Sequence, residues 1–196
     1  VEKHFIERLK QNERAIVKYL KELQDDKFSG KELTIRKNTV DFAPLSYGQQ
    51  RLWFIDKLEG SIQYHIPAVL RLRGSLEDII LESSFRDIVN RHAILRTVIE
   101  DRDGQAFQRI MPQDKWVMGR MRLISSQHSE AALRSRIEEL VMTPFDLSSD
   151  HKLRVDLIEV GEDESVLVVT LHNIAADGWA IPIIVGELVE FYNSRL

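Results

Sequence analysis

Apolar residues recur along this chain with two different periods, and each period predicts one kind of secondary structure. Steps of three, four or seven residues place apolar side chains on one stripe of a helix, whereas strict alternation gives a strand with one buried face. Helical spacing predicts helices over residues 5–23, 47–58, 75–90, 129–142 and 179–193. Alternating or continuous apolar runs predict strands over residues 68–73, 95–100, 105–110, 153–157 and 166–171. This order favours an α/β (α+β) fold, a mixed sheet flanked by helices.

Short polar signals predict where several of these elements begin, turn and end. Ser46 is placed as an N-cap, and Ser75-Leu76-Glu77-Asp78 resembles a capping box before the next helix. Asp101-Arg102-Asp103-Gly104 lies between two predicted strands and favours a hairpin turn. Thr143-Pro144 ends the fourth helix, and Pro182 is tolerated in the first turn of the last.

The stripes also predict which side chains face the core. Residues 166–171 are apolar on both faces, as is typical of a central strand. The inward positions of the helix over 75–90 are predicted to be Ile80, Phe85, Ile88 and Val89. Those of the last helix are predicted to be Ile181, Val185, Leu188 and Tyr192.

The pattern divides the chain into residues 1–39 and 40–196. The first part holds the amphipathic helix over residues 5–23 and a polar linker interrupted by Ser29-Gly30. An isolated helix is marginal in water, so this one must bury its apolar stripe. Two interpretations stay open: it is a docking or inter-domain segment, or it packs back on the domain formed by residues 40–196.

Composition narrows the chemistry that the chain can perform. It has 196 residues, 43% of them hydrophobic and 30% charged, which suits one globular core. It has no cysteine, which excludes disulfides, thiol nucleophiles and cysteine-ligated zinc. Residues 1–40 carry ten Lys/Arg against seven Asp/Glu, whereas the rest carries seventeen against twenty-four. The acidic body argues against nucleic-acid binding, and the lack of a long apolar run or signal sequence predicts a cytoplasmic protein without a membrane partner.

The residues most suited to chemistry lie in one strand-to-helix loop. The sequence from Leu171 to Trp179 places a histidine, an asparagine and an aspartate directly after an apolar run. It resembles the His-His-x-x-x-Asp-Gly signature of the condensation domains of nonribosomal peptide synthetases and of their chloramphenicol-acetyltransferase-like relatives, with Asn173 in place of the second histidine. Ser46 to Trp53 and Arg91 to Thr97 resemble the family's first two motifs, in the same order. Two further landmarks are Tyr64-His65-Ile66-Pro67 and Pro144-Phe145-Asp146-Leu147.

The resemblance implies a fold and a reaction. Family members are about twice this long and have two chloramphenicol-acetyltransferase-like lobes with the active site between them, and residues 40–196 resemble the N-terminal lobe. The implied reaction joins a donor acyl or peptidyl thioester to the amine of an acceptor aminoacyl thioester. Phosphopantetheine arms of partner carrier proteins deliver both substrates, so the chain itself is expected to bind no cofactor and no metal. The implied partners are donor and acceptor carrier proteins, the C-terminal lobe and neighbouring synthetase domains.

The same resemblance assigns roles within the loop. Asn173 occupies the position of the family's catalytic histidine, and its carboxamide cannot hold a proton near neutral pH. His172 is a candidate replacement base, although the family treats this first histidine as structural and adjacent side chains point apart. We therefore favour a buried, hydrogen-bonded ring at His172 over a catalytic one, and we expect an impaired or inactive site.

The remaining residues of the loop are interpreted as supporting ones. Asp177 precedes a helix, so it is expected to accept backbone N–H groups or to pair with an arginine, Arg96 first and Arg91 next. Gly178 is expected to allow close backbone approach, and Trp179 is interpreted as a core residue.

Three functions are compatible with these residues. The first is the N-terminal lobe of a condensation domain. The second is a non-catalytic module that docks a carrier protein or subunit and keeps the degenerate loop only as part of its fold. The third is a freestanding small-molecule acyltransferase, which would need assembly with further copies to complete its site.

Overall fold

The computed structural model describes residues 42–123 and 130–196, all within one compact unit that spans Val40–Leu196. These residues form four helices, α1 (Tyr47–Glu59), α2 (Asp78–Arg91), α3 (Glu130–Met142) and α4 (Ala180–Asn193). Their strands are β1 (Phe42–Pro44), β2 (His65–Arg73), β3 (Thr97–Arg102), β4 (Gln105–Ile110), β5 (Gly119–Arg122), β6 (Leu153–Glu159) and β7 (Glu164–His172). Short 3₁₀ helices cover Ile62–Tyr64 and Ala93–Arg96. The helix and linker predicted over residues 1–39 lie outside the described residues.

The strands form two sheets, where the sequence predicted one. The smaller sheet has the order β1-β4-β3, and the larger has the order β2-β7-β6-β5. Neighbours are antiparallel except β5 and β6, which are parallel, so the larger sheet is mixed. The β2–β7 register sets His65 opposite His172 at the end of the central strand β7.

Helices cover both faces of β7, which explains why its central residues, 166–169, are all apolar. Its residues Leu167, Val169 and Leu171 join the main core, to which α2 and α4 also contribute. Val166 and Val168 belong to a second cluster with residues of α3. Burying one such side chain stabilises the fold by about 1.5–3 kcal/mol, so the position of the loop after β7 is fixed by a large apolar contact.

Two of the local signals are confirmed. Ser46 caps α1: its Oγ accepts a hydrogen bond from the N–H of Gln49, and the Gln49 carboxamide accepts one from the N–H of Ser46. In the β3–β4 hairpin, Asp103 and Gly104 have φ values of 53° and 80°, the left-handed conformations of a two-residue turn.

Other predictions about the elements were wrong. The capping box predicted at Ser75 does not form among the described residues. Helix α2 begins at Asp78, and its N-cap residue, Glu77, makes no side-chain capping hydrogen bond. The pattern also missed β1 and β5, which have only three and four residues and are too short for a period to show.

Two helices are rotated slightly from the predicted orientation. Leu81 rather than Ile80 is buried on α2, and Ile184 rather than Val185 is buried on α4. One residue along a helix turns the side chain by about 100°, which is enough to exchange the core edge for the solvent edge. Within the described ranges, no helix combines the length and apolarity needed to cross a membrane.

Candidate functional site

The loop predicted to carry chemistry joins the end of β7 to the start of α4. Its residue Ile174 is buried in an apolar cluster, the loop core, which also contains Leu45, Ile99, Phe145 and Leu147. Leu45 follows β1, Ile99 lies in β3, and Phe145 and Leu147 come from the segment after α3, so the loop is anchored from several directions. The anchor holds the residues on either side of Ile174 in a fixed orientation.

His172 is fully buried and hydrogen-bonded at both ring nitrogens. The N–H of Ile174 donates to Nδ1 at 3.1 Å, and Nε2 lies 2.9 Å from the Oγ of Ser61. Burial, with smaller contributions from the charges of His65 and Lys152, lowers the pKa of His172 from 6.5 to about 4. The ring is therefore neutral near pH 7, in the buried and hydrogen-bonded environment expected for it, and cannot reach a reactant in solvent.

Asn173, the next residue, is exposed. Its backbone N–H donates to the carbonyl of Tyr64 at 2.9 Å, which ties the loop to the segment just before β2. Its side chain lines an open groove of about 530 Å³ together with Ala176, Asp177, Trp179 and Ile183. These adjacent residues thus have different environments: His172 is buried in the protein, and Asn173 lines the groove.

Asp177 has one of its predicted contacts, whereas Gly178 and Trp179 differ from their predictions. The Asp177 carboxylate accepts the backbone N–H of Trp179 at 3.0 Å, as one of its two predicted roles requires. Trp179 is 83% exposed rather than in the core, because it precedes α4 on the face that also exposes Ile183. A Cβ at Gly178 would meet no atom of the described residues within 4 Å, so the expected close backbone approach is not found among these residues.

The predicted pairing of Asp177 with an arginine is wrong as well. Arg96 ends a 3₁₀ helix, and its guanidinium donates to the carbonyl of Met111 just past β4. Arg91 ends α2, which packs against α4, and it pairs instead with Glu187 of α4 at 3.0 Å. Both arginines are used by nearer acceptors, and no ion pair within residues 42–123 and 130–196 includes Asp177.

Sequence reasoning missed three residues that support the loop: Asp56, Ser61 and Lys152. Ser61 is 3% exposed and contacts His172, and its Oγ also donates to the carboxylate of Asp56 in the last turn of α1. Lys152 is 1% exposed; its Nζ donates to the carbonyls of Leu147 and Asp150, and burial lowers its pKa to about 8. The Lys152 carbonyl accepts the N–H of His172 at 3.1 Å. The contacts of His172 with the Ser61 hydroxyl and the Lys152 carbonyl have no signal in the sequence, because both partners come from distant segments.

His65 and Phe145 close the apolar side of the His172 pocket. The ring of Phe145 meets those of His65 and His172 edge-on, with centroids 5.0 and 5.6 Å apart. Nδ1 of His65 donates to the carbonyl of Val141 at 2.8 Å. In the described part of the chain, no group of three or more His, Asp or Glu side chains is arranged to hold a metal ion.

Comparison with known proteins identifies the family. A family model described as Condensation domain matches residues 39–196. Malpinin synthetase of Mortierella alpina is 38% identical over 152 residues, which cover 77% of this chain and 2% of that protein. The dimodular nonribosomal peptide synthase of Bacillus subtilis (strain 168) is 36% identical over 153 residues, which cover 78% of this chain and 6% of that protein. The chain therefore spans only a small part of the length of these relatives.

Solved structures share the fold. The starter condensation domain of rhizomide synthetase RzmA superposes with a TM-score of 0.70 at 22% identity, over 78% of this chain and 37% of that one. The X-domain in its complex with OxyB from teicoplanin biosynthesis gives a TM-score of 0.70 at 29% identity, over 81% of this chain and 34% of that one. The predicted chloramphenicol-acetyltransferase-like lobe is thereby confirmed. Since the family model covers every described element together with the loop after β7, this chain belongs to the Condensation domain family.

Proposed function

We propose that residues 40–196 are the N-terminal lobe of a nonribosomal peptide synthetase condensation domain, in which position 173 orients the attacking amine. The acceptor amine attacks the donor thioester carbonyl, an amide bond forms, the carbon–sulfur bond breaks, and the departing sulfur of the donor arm takes the amine proton and leaves as a thiol. The observation that carries this proposal is the contrast between the sealed ring of His172 and the exposed side chain of Asn173 on the groove. Residues 1–39 stay a predicted helix and linker, with a possible docking role.

The groove itself supports the need for a second lobe. Trp179 and Ile183 are 83% and 56% exposed, and both line the open groove with Asn173. Large apolar side chains grouped at an exposed surface mark an interaction site in most proteins. A C-terminal lobe lying over this face would give Trp179 and Gly178 the neighbours that the described residues do not provide.

Substrate delivery is proposed to follow the family. Donor and acceptor carrier proteins would bring their thioesters on phosphopantetheine arms, so no cofactor would be held by this chain, and neighbouring synthetase domains would supply the carriers. The proposed location of this reaction is the cytoplasm. The apolar residues of the groove, Ala176, Trp179 and Ile183, suit contact with the uncharged acyl part of a thioester.

Asn173 limits the chemistry in a way that can be quantified. Loss of general-base assistance costs a factor of about 10²–10⁴ in rate. Correct positioning of two reactants can supply about 7–11 kcal/mol of the barrier. A carboxamide can accept a hydrogen bond from the amine and so orient it, but it cannot take its proton. The proposed activity is therefore slow, and the isolated lobe is inactive.

The test is Asn173→His in a two-lobed condensation domain that contains this chain. Because position 173 is exposed, the substitution should leave stability within about 0.5 kcal/mol. We expect the condensation rate, measured with both carrier proteins loaded, to rise by about 10²-fold or more. Asn193→His at the exposed end of α4 is the matched control and should change nothing. An unchanged rate for Asn173→His would show that this position does not limit the reaction.

A second candidate function is a non-catalytic docking module. An X-domain has been solved in complex with OxyB, so a fold of this kind can bind another protein. Asn173 is compatible with such a role, because docking needs no proton transfer. Carrier-protein binding by the two-lobed domain with no amide product, in both the natural and the Asn173→His forms, would favour it.

A further inference from the structure

A line of polar contacts connects the last turn of α1 to the loop after β7. The carboxylate of Asp56 accepts a hydrogen bond from the Ser61 hydroxyl, whose oxygen lies 2.9 Å from Nε2 of His172. Nδ1 of His172 then accepts the N–H of Ile174 at 3.1 Å. Ser61 and His172 are both buried, so their hydrogen bonds are screened from water.

The two ends of this line determine where each proton lies. Ile174 offers a backbone N–H, which can only donate, so Nδ1 of His172 must be unprotonated. The neutral ring therefore carries its proton on Nε2 and donates it to Ser61. The Ser61 hydroxyl is left to donate to Asp56, whose Oδ1 accepts the hydrogen bond. Each group makes a hydrogen bond of the right polarity only in this arrangement.

We propose that Asp56 and Ser61 are positioning residues that hold His172 in its Nε2-protonated form. With that form fixed, Nδ1 stays available to Ile174, and the turn that presents position 173 to the groove is locked. The consequence for catalysis rests on the function proposed above, whereas the proton placement does not.

The other charged or titratable groups around His172 do not compete for its ring. His65 on β2 directs Nδ1 to the carbonyl of Val141, and Lys152 before β6 directs Nζ to the carbonyls of Leu147 and Asp150. Among the described residues, Ser61 and Ile174 are the partners of the two ring nitrogens. Deleting Ser61 would leave a buried donor without an acceptor, which is the costly way to lose a hydrogen bond.

The placement of Asp56 also calls for an explanation beyond helix stability. It lies in the last turn of α1, where a negative charge opposes the helix dipole. The N–H of Gly60 bonds to the Asp56 carbonyl, and Gly60, with φ of 81°, turns the chain back towards Ser61. The turn places the Ser61 hydroxyl beside the Asp56 carboxylate, which accepts its hydrogen bond. The Asp56 side chain therefore supports the contacts to His172 rather than stabilising α1.

The test is ¹⁵N NMR of histidine-labelled protein near neutral pH, combined with amide exchange at Ile174. The unchanged chain should show His172 with Nε2 protonated and Nδ1 unprotonated. Ser61→Ala and Asp56→Ala should each populate the other tautomer and speed exchange of the Ile174 amide by about tenfold. Asp56→Asn keeps an oxygen acceptor for Ser61 and should restore the original state. Glu59→Ala removes a carboxylate from the same end of α1 and is the matched control, with no effect expected.

Each outcome decides a separate point. A ring protonated on Nδ1 in the unchanged chain would overturn the proposal outright. So would alanine variants that fold and keep both the tautomer and the slow exchange. If Ser61→Ala does not fold, the half-buried Asp56 gives the same comparison through its alanine and asparagine forms. In a two-lobed domain the Asp56→Ala change should lower kcat more than it raises KM. Absence of any condensation there, with the tautomer as proposed, would count against the proposed function alone.

Discussion

Acidification should destabilise this domain through the buried ring of His172. The folded-state pKa of this ring is about 4, against 6.5 for an unrestrained histidine, because burial excludes the charged form. Between those pH values the unfolded state binds more protons than the folded state, so the free energy of unfolding falls as the pH falls. At 1.36 kcal/mol per pKa unit the loss is about 3 kcal/mol, fully developed below about pH 4. That is a large part of the roughly 5–15 kcal/mol typical of a domain.

The assay is urea unfolding at a series of pH values, followed by the fluorescence of the buried Trp116. His172→Gln, which cannot titrate, is the reference. Burial also lowers the pKa values of His65 and His151. Their contributions to the unfolding free energy are common to both proteins, so they cancel when the two are subtracted. The stability advantage of the unchanged protein should be constant above about pH 7 and should shrink by about 3 kcal/mol by about pH 4. A difference in unfolding free energy that is the same at about pH 7 and at about pH 4 would refute the claim that burial keeps the folded His172 ring unprotonated.

Two further predictions concern stability, both measured by urea unfolding near neutral pH. Gly119→Ala should cost about 1–3 kcal/mol, since a Cβ there would lie 2.0 Å from Oδ1 of the half-buried Asp156 on the neighbouring strand. In the double variant, Asp156→Ala should recover part of the stability lost through Gly119→Ala. If the unfolding free energies lost in the two single variants simply add in the double variant, the proposed clash is wrong. Ser46→Ala should cost about 1 kcal/mol by removing the cap of α1, and a variant as stable as the original would show that Gln49 caps the helix unaided.

The loop after β7 assigns different tasks to neighbouring residues. Among the described residues, His172 donates and accepts hydrogen bonds within the protein, whereas Asn173 donates its backbone N–H to Tyr64 and is exposed on the groove. A substitution at 172 should therefore act on stability, and one at 173 on rate. The strand geometry explains the difference: β7 ends at His172, so that side chain still follows the sheet, and the chain then turns away.

Local rules allowed several features to be predicted from the sequence alone. The cap at Ser46 depends on a residue three positions away, and the turn at Asp103 and Gly104 depends on their own backbone conformations. The burial of both faces of β7 follows from consecutive apolar residues at 166–169. The order of the motifs indicated the family in the same way, because each motif is a short contiguous segment.

The support of the site was decided only in three dimensions. Ser61 lies 111 positions from His172, and nothing in either local sequence indicates that they meet. Arg96 was expected beside Asp177, but the carbonyl of Met111 is its partner once β3 and β4 have paired. Trp179 looked like a core residue from its apolar surface, yet the rotation of α4 that buries Ile184 leaves it in solvent. Sequence period fixes the kind of element, whereas the packing of whole elements fixes which polar groups are left close enough to bond.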